Sequence, residues 1–339
     1  MTTKRVTRKE VAEHAGVSVA VVSYVVNDGP RPVSPETRLK VQQAIEELGY
    51  YPNELARSLS LKQTSTLGLI LPNVTNPVFA EIANSLEQAC VEMGYMVMLC
   101  ASERNPEKEN KLVQTLRAKQ VDAVVINPTQ DAQTLLAPLL QAQIPVVILE
   151  HDPPNMYSIL IDDLAGGRLA AQHLVSLGHR HIGMIKRHSP TAMSYLREVG
   201  YEQILSEANI PYDPALVVSC DSGLSAGYAA MKQLLALSEP PTAIFTHNDI
   251  LATAAIRAIQ DSGLNVPDDI SVVGYDDIVS SAYLNPRLTT IKVPVAEMGC
   301  RAGQIAVELA KNKNIQLART ITLPVELIVR ASTGPPRQL

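Results

Sequence analysis

Apolar residues near the start of the chain recur at helical spacing. In VTRKEVAEHAG, Val11 and Ala12 lie on one side of a predicted helix. Thr7 and Glu10 stand three residues apart, as in a helix capping box, and Gly16 follows as a C-terminal cap. The pattern therefore predicts a short first helix that ends before Gly16.

Two further helices are predicted after this glycine. Ser18 has N-cap chemistry for a helix over about 19–27, and Ser34 with Pro35 can begin a third helix that ends at Gly49. The residues predicted to face inward from these two helices are Val22, Val25, Val26, Val41, Ile45 and Leu48. Two helices joined by so tight a turn cross steeply, which predicts a helix-turn-helix fold. The alternative is a small helical bundle that serves only as a dimerisation cap.

After Thr64 the pattern changes to short apolar runs that alternate with amphipathic stretches. This alternation is typical of βαβ units with a parallel sheet. The predicted strands are LGLILP (67–72), YMVMLCA (95–101), DAVVIN (122–127), PVVILE (145–150), HIGMIK (181–186), ALVVS (215–219), TAIFT (242–246) and DISVVGYDD (269–277). The predicted helices include PVFAEIANSLEQACVEMG, EKENKLVQTLRAKQ and stretches near 164–177, 195–208, 225–237 and 249–262. Two such series predict two doubly wound lobes with a cleft between them.

Composition and charge distinguish the two parts of the chain. Hydrophobic residues make up 46% and charged residues 19%, so the 339 residues can bury substantial cores. The formal net charge is -5, yet residues 1–65 hold nine Lys and Arg against seven acidic residues. The first nine residues include Lys4, Arg5, Arg8 and Lys9 and no acid. The acidity therefore belongs to the body, and the basic start is compatible with nucleic-acid binding.

The cysteines and the hydropathy pattern exclude several classes of protein. The four cysteines are widely separated and form no CxxC pair, so neither a zinc site nor a disulfide framework is predicted; they are Cys90, Cys100, Cys220 and Cys300. No run of 18 apolar residues and no signal-peptide pattern occurs. We therefore expect a cytoplasmic protein with reduced thiols, without a metal, a cofactor or a membrane partner.

Two strings in the first 64 residues carry a specific resemblance. VTRKEVAEHAGVSVAVVSYVVND and VSPETRLKVQQAIEELGYYPNELARSLSLKQT resemble the DNA-binding headpiece and hinge of LacI/GalR-family transcription regulators. The resemblance implies a recognition helix over 18–27, in which Val19, Ala20 and Tyr24 face base edges in the major groove. The implied backbone-phosphate or cap positions are Thr7, Ser18, Ser23 and Asn27. The best-known members carry Arg or His at the position of Tyr24, so the base pair read there is open.

The segment YYPNELARSLSLKQT is too short to be a stable helix alone in water. In the family, this segment is a hinge helix that orders when it pairs with its dimer mate on DNA. The resemblance implies DNA contacts from Asn53, Ala56 and Leu59, with Leu59 wedged between base pairs in the minor groove. The alternative is a plain linker with a leucine docked on the body.

The later strings IDDLAGGRLAAQHLVSLGHRHIGMI, FTHNDILATAAIRAI and DISVVGYDD also resemble this family. The implied fold class is a small all-α helix-turn-helix headpiece with a hinge helix, followed by an α/β two-lobed body like that of periplasmic binding proteins, with parallel sheets. The implied domains are the headpiece over 1–51, the hinge helix and linker over 52–64, an N-terminal lobe over 65–162 plus 293–324, and a C-terminal lobe over 163–292 plus 325–339.

Polar residues follow several predicted strands, at the edge where parallel sheets bind ligands. They include Asn73, Asn76, Glu150, Asn248, Asp249 and Asp276. Arg197 corresponds to the family's ligand-gripping arginine, which would fork two hydrogen bonds to a hydroxyl pair or a carboxylate. The predicted effector-binding set is Asn76, Phe79, Glu150, Arg197, Ser222, Asn248 and Asp276, with Phe79 as an apolar wall and Ser222 where several members have an aromatic ring. The alternative for each amide or acid is a helix N-cap.

Enzyme signatures are missing, because the chain has no GxGxxG after a strand, Walker loop, GxSxG elbow or HExxH motif. Around His179, Arg180 and His181, a loop-to-strand junction is favoured over a metal site. The resemblance implies a transcriptional regulator, most simply a repressor, that binds a pseudo-palindromic operator as a homodimer or dimer of dimers and responds to a sugar, a nucleoside or a related metabolite. The tail ASTGPPRQL has no leucine heptad, which favours the dimer. The rival interpretation is a cytoplasmic sugar-binding or sugar-modifying α/β protein without operator-specific DNA binding.

Overall fold

The computed structural model describes residues 6–26, 31–51, 63–188, 195–312 and 319–337. The chain divides into two compact units, Met1–Thr64 and Ser65–Leu339. Over the described ranges the first unit contains helices only, whereas the second combines helices with two sheets. Among the described helices, none combines the length and the apolar character that a membrane span requires.

Three helices form the first unit, and they are α1 (Arg8–Ala15), α2 (Val19–Val26) and α3 (Pro35–Leu48). The predicted capping box is present, because the backbone N of Glu10 donates to Thr7 Oγ1 while the backbone N of Thr7 donates to Glu10 Oε2. Gly16 ends α1 in the left-handed conformation, with φ 66°, which costs glycine little. One small core joins the helices, and its buried residues are Val11, Ala12, Val22, Val25, Val41, Ala44 and Tyr50. The helix-turn-helix prediction is confirmed.

The strands and helices of the second unit alternate for most of its length. Its strands are β1 (Thr66–Leu71), β2 (Met96–Ala101), β3 (Ala123–Ile126), β4 (Val146–Leu149), β5 (Tyr157–Ile161), β6 (Ile182–Arg187), β7 (Val217–Cys220), β8 (Ala243–Thr246), β9 (Ser271–Asp276), β10 (Thr289–Lys292), β11 (Thr320–Leu323) and β12 (Glu326–Ile328). Its helices are α4 (Pro77–Glu92), α5 (Pro106–Ala118), α6 (Ala132–Gln141), α7 (Asp163–Ser176), α8 (Leu196–Glu207), α9 (Leu224–Leu235), α10 (Asp249–Asp261) and α11 (Val295–Lys311).

These strands form two six-stranded sheets of matching topology. The first has the order β11-β5-β4-β3-β1-β2 and the second the order β12-β10-β9-β8-β6-β7. We call the first sheet with α4, α5, α6 and α11 the N-lobe, and the second sheet with α7, α8, α9 and α10 the C-lobe. Every pair in both sheets is parallel except β10 with β12, which is antiparallel. The predicted two-lobed α/β body with parallel sheets is confirmed.

Strand β1 shows why these strands are continuously apolar. Leu69 and Leu71 belong to one buried cluster, whereas Ile70 between them belongs to a second cluster on the opposite face. Since alternate residues of a strand point to opposite faces, both faces of this sheet are covered. Uniform hydrophobicity was therefore a correct signal for a sheet between helix layers.

The structure also differs from the expected pattern at several strands. The eight strands expected from apolar runs are all present, but β7 begins at Val217 because Pro214–Leu216 forms a short 3₁₀ turn before it. Four strands were not anticipated, and they are β5, β10, β11 and β12. The last two have three or four residues, which include exposed positions, so pairing with a neighbouring strand defines them rather than their own pattern. The predicted continuation of α2 to about Asn27 and residues 52–62 of the predicted hinge segment lie outside the described residues.

Two glycines bring α7 and α8 into unusually close contact. A Cβ added to Gly167 would collide with the backbone carbonyl of Arg197, and a Cβ added to Gly200 would collide with that of Leu164. Only glycine permits backbones to approach this closely. The packing places the start of α7, where Asp163 lies, beside Arg197 on α8.

Candidate functional site

Helix α2 of the headpiece presents an outer face that differs from its core face. Val22 and Val25 are buried, whereas Ser18, Val19 and Ala20 at the start of the helix are exposed. Ser18 Oγ accepts from the backbone N of Val21 at 3.3 Å, as an N-cap does. The predicted base-reading residues Val19 and Ala20 are therefore on the solvent side of α2.

The other predicted DNA-contacting residues differ in their exposure, and several of them lie outside the described residues. Ser23 and Tyr24 are partly exposed, and Thr7 serves as the N-cap of α1, so its side chain already has an intramolecular role. The remaining four lie outside the described residues, and they are Asn27, Asn53, Ala56 and Leu59. Their contacts with DNA stay predictions.

Arg197 is the centre of a buried polar cluster in the C-lobe. Its Nε donates to Asp163 Oδ1 at 2.8 Å and its Nη1 donates to the backbone carbonyl of His247 at 2.6 Å. The guanidinium also lies 3.6 Å above the centre of the Tyr275 ring, whose hydroxyl donates to Asp163 Oδ1 at 2.8 Å. Burial by itself would lower the pKa of Arg197, but nearby acidic groups, with Asp163 the strongest of them, together raise it above its ordinary value. Arg197 is therefore charged and fixed in orientation.

These contacts change what Arg197 can offer to a ligand. Nε and one proton of Nη1 are used within the protein, and Nη2 makes no hydrogen bond to any described residue. A fork of two hydrogen bonds to a ligand, as expected from the sequence, would therefore have to come from the two Nη atoms. Asp163, His247 and Tyr275 orient this arginine, and sequence reasoning assigned a role to none of them.

Asp276 stands at the end of β9, where the chain turns sharply. Asp276 and Asp277 have φ 113° and 56°, both in the region that favours glycine. Arg330 stabilises this turn, because its Nη2 donates to Asp277 Oδ1 at 2.6 Å and its Nη1 donates to the Leu288 carbonyl at 2.8 Å. Loss of hydration raises the pKa of Asp276 well above its ordinary value; Arg197 opposes the shift, and the carboxylates of neighbouring acids add to it.

Two predicted amides in the set act as helix N-caps. Asn248 Oδ1 accepts from the backbone N of Leu251 at 2.9 Å, and Asn76 Oδ1 accepts from that of Val78 at 3.0 Å. The side-chain oxygen of each asparagine is therefore used as a helix cap, as the alternative interpretation expected. Asn248 directly follows His247, whose carbonyl holds Arg197, so it lies beside the cluster all the same.

The next residue, Asp249, is a structural acid inside the C-lobe. Its carboxylate accepts from Thr290 Oγ1 and Ser281 Oγ, each at 2.6 Å, and from the backbone N of Ile278 at 3.0 Å. Burial raises the pKa of Asp249 to about 6, against the effect of these hydrogen bonds. Asp249 thus ties α10 to the turn that follows Asp276.

The predicted site residues of the N-lobe make separate polar contacts rather than one cluster like that around Arg197. Glu150 follows β4 with φ 57°, and its Oε2 accepts from Asn127 Nδ2 at 2.8 Å. Asn73 is engaged in its own turn, where Oδ1 accepts from the backbone N and the hydroxyl of Thr75, both at 2.7 Å. Phe79 is buried in the main hydrophobic cluster. Ser222, in the C-lobe, is exposed on the turn after β7.

Two arginines that the sequence analysis did not select also belong to this region. Arg187 is the last residue of β6, and Arg104 lies in the loop after β2 with φ 55°. Burial lowers the pKa of Arg187 to about 10, and the positive charge of Arg104 adds to this, while the carboxylate of Glu150 opposes it. Glu150 was selected because it stands at the end of a predicted strand. Arg187 stands in the same position on β6, but the predicted strand ended one residue earlier, at Lys186.

The histidines near β6 have structural roles. His179 Nδ1 is 2.9 Å from Thr242 Oγ1, and its Nε2 is 2.9 Å from the Gly334 carbonyl oxygen. His181 Nε2 is instead 2.8 Å from the Glu239 carbonyl oxygen, so the two rings do not converge. Over the described ranges, no group of three His, Cys, Asp or Glu side chains is arranged to hold a metal ion.

Comparison with known families assigns both parts of the chain. A family of bacterial regulatory proteins, the lacI family, matches residues 7–53. A periplasmic binding protein-like domain matches residues 171–333. The first match covers the helix-turn-helix unit and the second covers most of the C-lobe.

Relatives and solved structures extend the similarity over nearly the whole chain. The HTH-type transcriptional regulator DegA of Bacillus subtilis is 36% identical over 331 residues, which are 96% of this chain and 97% of DegA. The HTH-type transcriptional repressor PurR of Photobacterium profundum is 36% identical over 329 residues, with 96% and 98% covered. The lac repressor dimer bound to operator and the anti-inducer ONPF is 33% identical, with a TM-score of 0.89 and 98% of this chain and 100% of that chain covered. The chain therefore belongs to the LacI family of bacterial regulatory proteins, and it is a DNA-binding regulator of transcription.

Proposed function

We propose that this protein is an effector-responsive repressor that binds a pseudo-palindromic operator as a homodimer. One observation carries the proposal: a helix-turn-helix headpiece and a two-lobed body with a buried arginine cluster occur in one chain that matches the lac repressor dimer on operator with a TM-score of 0.89. Two-fold symmetry of the protein then requires two inverted half-sites in the DNA. The proposed location is the cytoplasm at the nucleoid, and the proposed activity involves no catalysis.

On DNA, the exposed N-terminal face of α2 would read the bases. Val19 and Ala20 can contact thymine methyl groups in the major groove, and Tyr24 would reach a neighbouring base pair. Thr7, Ser18, Ser23 and Asn27 would contact phosphates or cap helices, and Asn53, Ala56 and Leu59 would contact the minor groove from the hinge. For Leu59→Ala, we expect weaker operator binding with unchanged effector affinity of the body.

In the body, the effector would bind at the carboxyl ends of strands from both lobes. Arg197, Asp276 and Asn248 would hold it from the C-lobe and Glu150 from the N-lobe, while Asn76, Phe79 and Ser222 would complete the walls. A transcriptional regulator CelR, with a TM-score of 0.73 and 31% identity, was solved as a complex with cellobiose, which supports a hydroxylated small molecule here. Binding would change lobe closure and thereby the spacing of the two hinges.

The coupling between the two sites needs only a modest free energy. A shift of about 1–3 kcal/mol changes operator affinity about 5–150-fold, and operator DNA must change effector affinity by the same factor. Arg197→Ala is expected to keep operator binding, as long as the body is folded, and to lose the effector response. A fully responsive variant would remove Arg197 from the effector site.

Selection of bound duplexes from a random DNA pool by the full-length protein, at two salt concentrations, tests the proposal. We expect an inverted repeat, and we expect Val19→Ala to change the half-site that is recovered. Leu39→Ala is the matched control, because Leu39 is an exposed apolar residue on α3, at 56% exposure against 45% for Val19. If neither the protein alone nor the protein with a metabolite mixture enriched any sequence, the rival interpretation of a sugar-binding protein without operator-specific DNA binding would be favoured.

A further inference from the structure

We propose that the effector of this protein carries a negatively charged group, a carboxylate or a phosphate, which binds Arg187 and Arg104 while its hydroxyl groups bind the Arg197 cluster. The inference rests on the proposed function and names the chemical class of the effector. It depends on the two arginines that no motif of the chain explains.

Arg187 differs from the other half-buried or buried arginines in its lack of a partner. Arg197 is paired with Asp163 at 2.8 Å and Arg330 with Asp277 at 2.6 Å. Arg187 forms no ion pair with any described residue, and its Nε is buried with no hydrogen-bond partner there. A buried charged donor without a partner costs more free energy than a neutral one, so such a group is retained where a ligand completes it.

Most buried polar atoms without a partner in the described part of the body lie at the carboxyl edges of the two sheets. Within the described ranges, four buried side-chain polar atoms have no partner, and three of them stand at or just after the carboxyl end of a strand: Ser102 Oγ after β2, His151 Nε2 after β4 and Arg187 Nε in β6. Carboxyl ends of parallel strands are where α/β folds bind ligands. The missing partners therefore lie where the proposed effector would be.

The acids around Arg187 form no ion pair with it. Two acids face it, Glu150 from the N-lobe and Asp276 from the C-lobe. Glu150 accepts a hydrogen bond from Asn127, and loss of hydration raises the pKa of Asp276 well above its ordinary value. Within the described ranges neither Arg104 nor Arg187 forms an ion pair, so an anionic group of the effector would supply the partner that both lack.

The buried His247 side chain is affected by the same arginine charges. Burial lowers the pKa of His247 well below its ordinary value, and the charges of Arg197, Arg187 and Arg104 lower it further. Arginines from both lobes therefore act on one buried ring, since Arg104 belongs to the N-lobe and the other two to the C-lobe. An anion bound between the lobes would neutralise this charge, and the planar guanidinium groups suit the oxygens of carboxylate or phosphate.

The test measures binding of matched neutral and anionic probes to the full-length protein by calorimetry. The probes are glucose, glucose 6-phosphate and glucuronate, ribose and ribose 5-phosphate, and inorganic phosphate. We expect at least one anionic probe to bind at least tenfold more tightly than its neutral counterpart, with an affinity that falls as salt rises. The phosphate and carboxylate arms distinguish the two sources of charge.

Variants of Arg187 separate a ligand role from a structural one. Arg187→Gln is expected to lose at least tenfold in affinity for the anionic probe, and Arg187→Lys to recover part of it. Without ligand, Arg187→Gln is expected to melt at the same or a higher temperature than the parent, because an unpaired charge is removed; a structural arginine would give a lower melting temperature. Arg168→Gln is the control, since Arg168 is partly exposed and already paired with Glu207 at 2.8 Å.

Three outcomes would overturn the proposal: a neutral probe that binds as tightly as its anionic counterpart, an unchanged affinity in Arg187→Gln, or no binding by any anionic probe. Operator binding, measured on the same samples, separates this failure from failure of the proposed function. Release of operator by a neutral sugar would support the repressor and reject the anionic effector. Absence of any sequence-specific duplex binding would reject the repressor itself.

Discussion

The two lobes share a topology but supply very different halves of the candidate site. In the C-lobe, Arg197, Asp163 and Tyr275 are joined by short hydrogen bonds and are buried. In the N-lobe, Glu150 accepts one hydrogen bond from the described residues, that of Asn127, and Arg104 is exposed. The same strand order therefore carries a preorganised half and an adaptable half.

This difference indicates how a ligand would use the cleft. A side chain held by its neighbours loses little freedom when it binds, so we expect the C-lobe half to provide most of the affinity for an effector. We expect the N-lobe half to reach the effector through the lobe closure proposed above. Four substitutions test this division, from the largest expected effect to the smallest.

Arg197→Ala tests whether the C-lobe half is rigid because of its buried ion pair. Removal of the arginine leaves Asp163 buried without its partner, and breaking a buried pair in this way costs about 3–5 kcal/mol. We expect the free energy of unfolding in urea to fall by that amount. Arg168→Ala, which breaks a more exposed pair with Glu207, is the control and is expected to change it little. Equal losses in the two variants would contradict the comparison.

Arg330→Ala tests the turn that presents Asp276. The substitution leaves the half-buried Asp277 carboxylate and the Leu288 carbonyl without a donor, at a cost of about 1–3 kcal/mol. We expect that loss in urea unfolding, together with weaker binding of whichever probe binds the parent. In the control pair Arg337 is 69% exposed, against 17% for Arg330, so Arg337→Ala is expected to affect neither quantity. Unchanged probe affinity in Arg330→Ala would remove the turn from the site.

The pH dependence of stability tests the buried acid Asp249. Its pKa is about 6 in the folded chain against 3.8 for the free group, so the folded chain keeps this proton where the unfolded chain has released it. The resulting stability is fully present below about pH 4 and is lost as the pH rises through about 6. In Asp249→Asn this contribution is missing. We expect unfolding free energies measured from pH 4 to pH 7 to fall more steeply for the parent than for the variant; parallel curves would contradict the assignment.

Glu150→Gln tests the adaptable half and carries the smallest expected effect on stability. The amide oxygen of glutamine can still accept from Asn127, so we expect the free energy of unfolding to change by less than about 0.5 kcal/mol while probe affinity falls. Glu109→Gln is the matched control in the same lobe. Glu109 is buried and accepts from Thr129 and Gln130, so its variant is expected to lose stability and keep probe affinity. A reversed pattern would place the rigid half in the N-lobe.

Much of the fold could be predicted because its signals are local. The Thr7 and Glu10 capping box, Gly16 in the left-handed region and the apolar runs of β1 to β4 each specify their own conformation within a few residues. Strands β5 and β10 to β12 were missed because their neighbours in space, rather than their sequences, make them strands.

The candidate site was accessible to sequence reasoning only in part. Arg197 came from a resemblance, and Glu150 and Asp276 from their positions after strands. Arg187 was missed because its strand is one residue longer than the apolar pattern. Asp163 was missed because the sequence of a helix start does not indicate whether its acidic residue faces solvent or an arginine.

The sequence by itself determined the helix-turn-helix, the two series of strands and helices, and the family of this protein, since hydrophobic periodicity and caps act over short separations along the chain. The tertiary structure alone decided which charges meet. Asp163 and Arg197 are 34 residues apart, and Asp163 and Tyr275 are 112 residues apart. Their contact depends on the close approach of α7 to α8 at Gly167 and on the sheet order that places β9 beside β8. The charge and burial of such a site depend on which residues are close in space, and a local sequence pattern does not specify this.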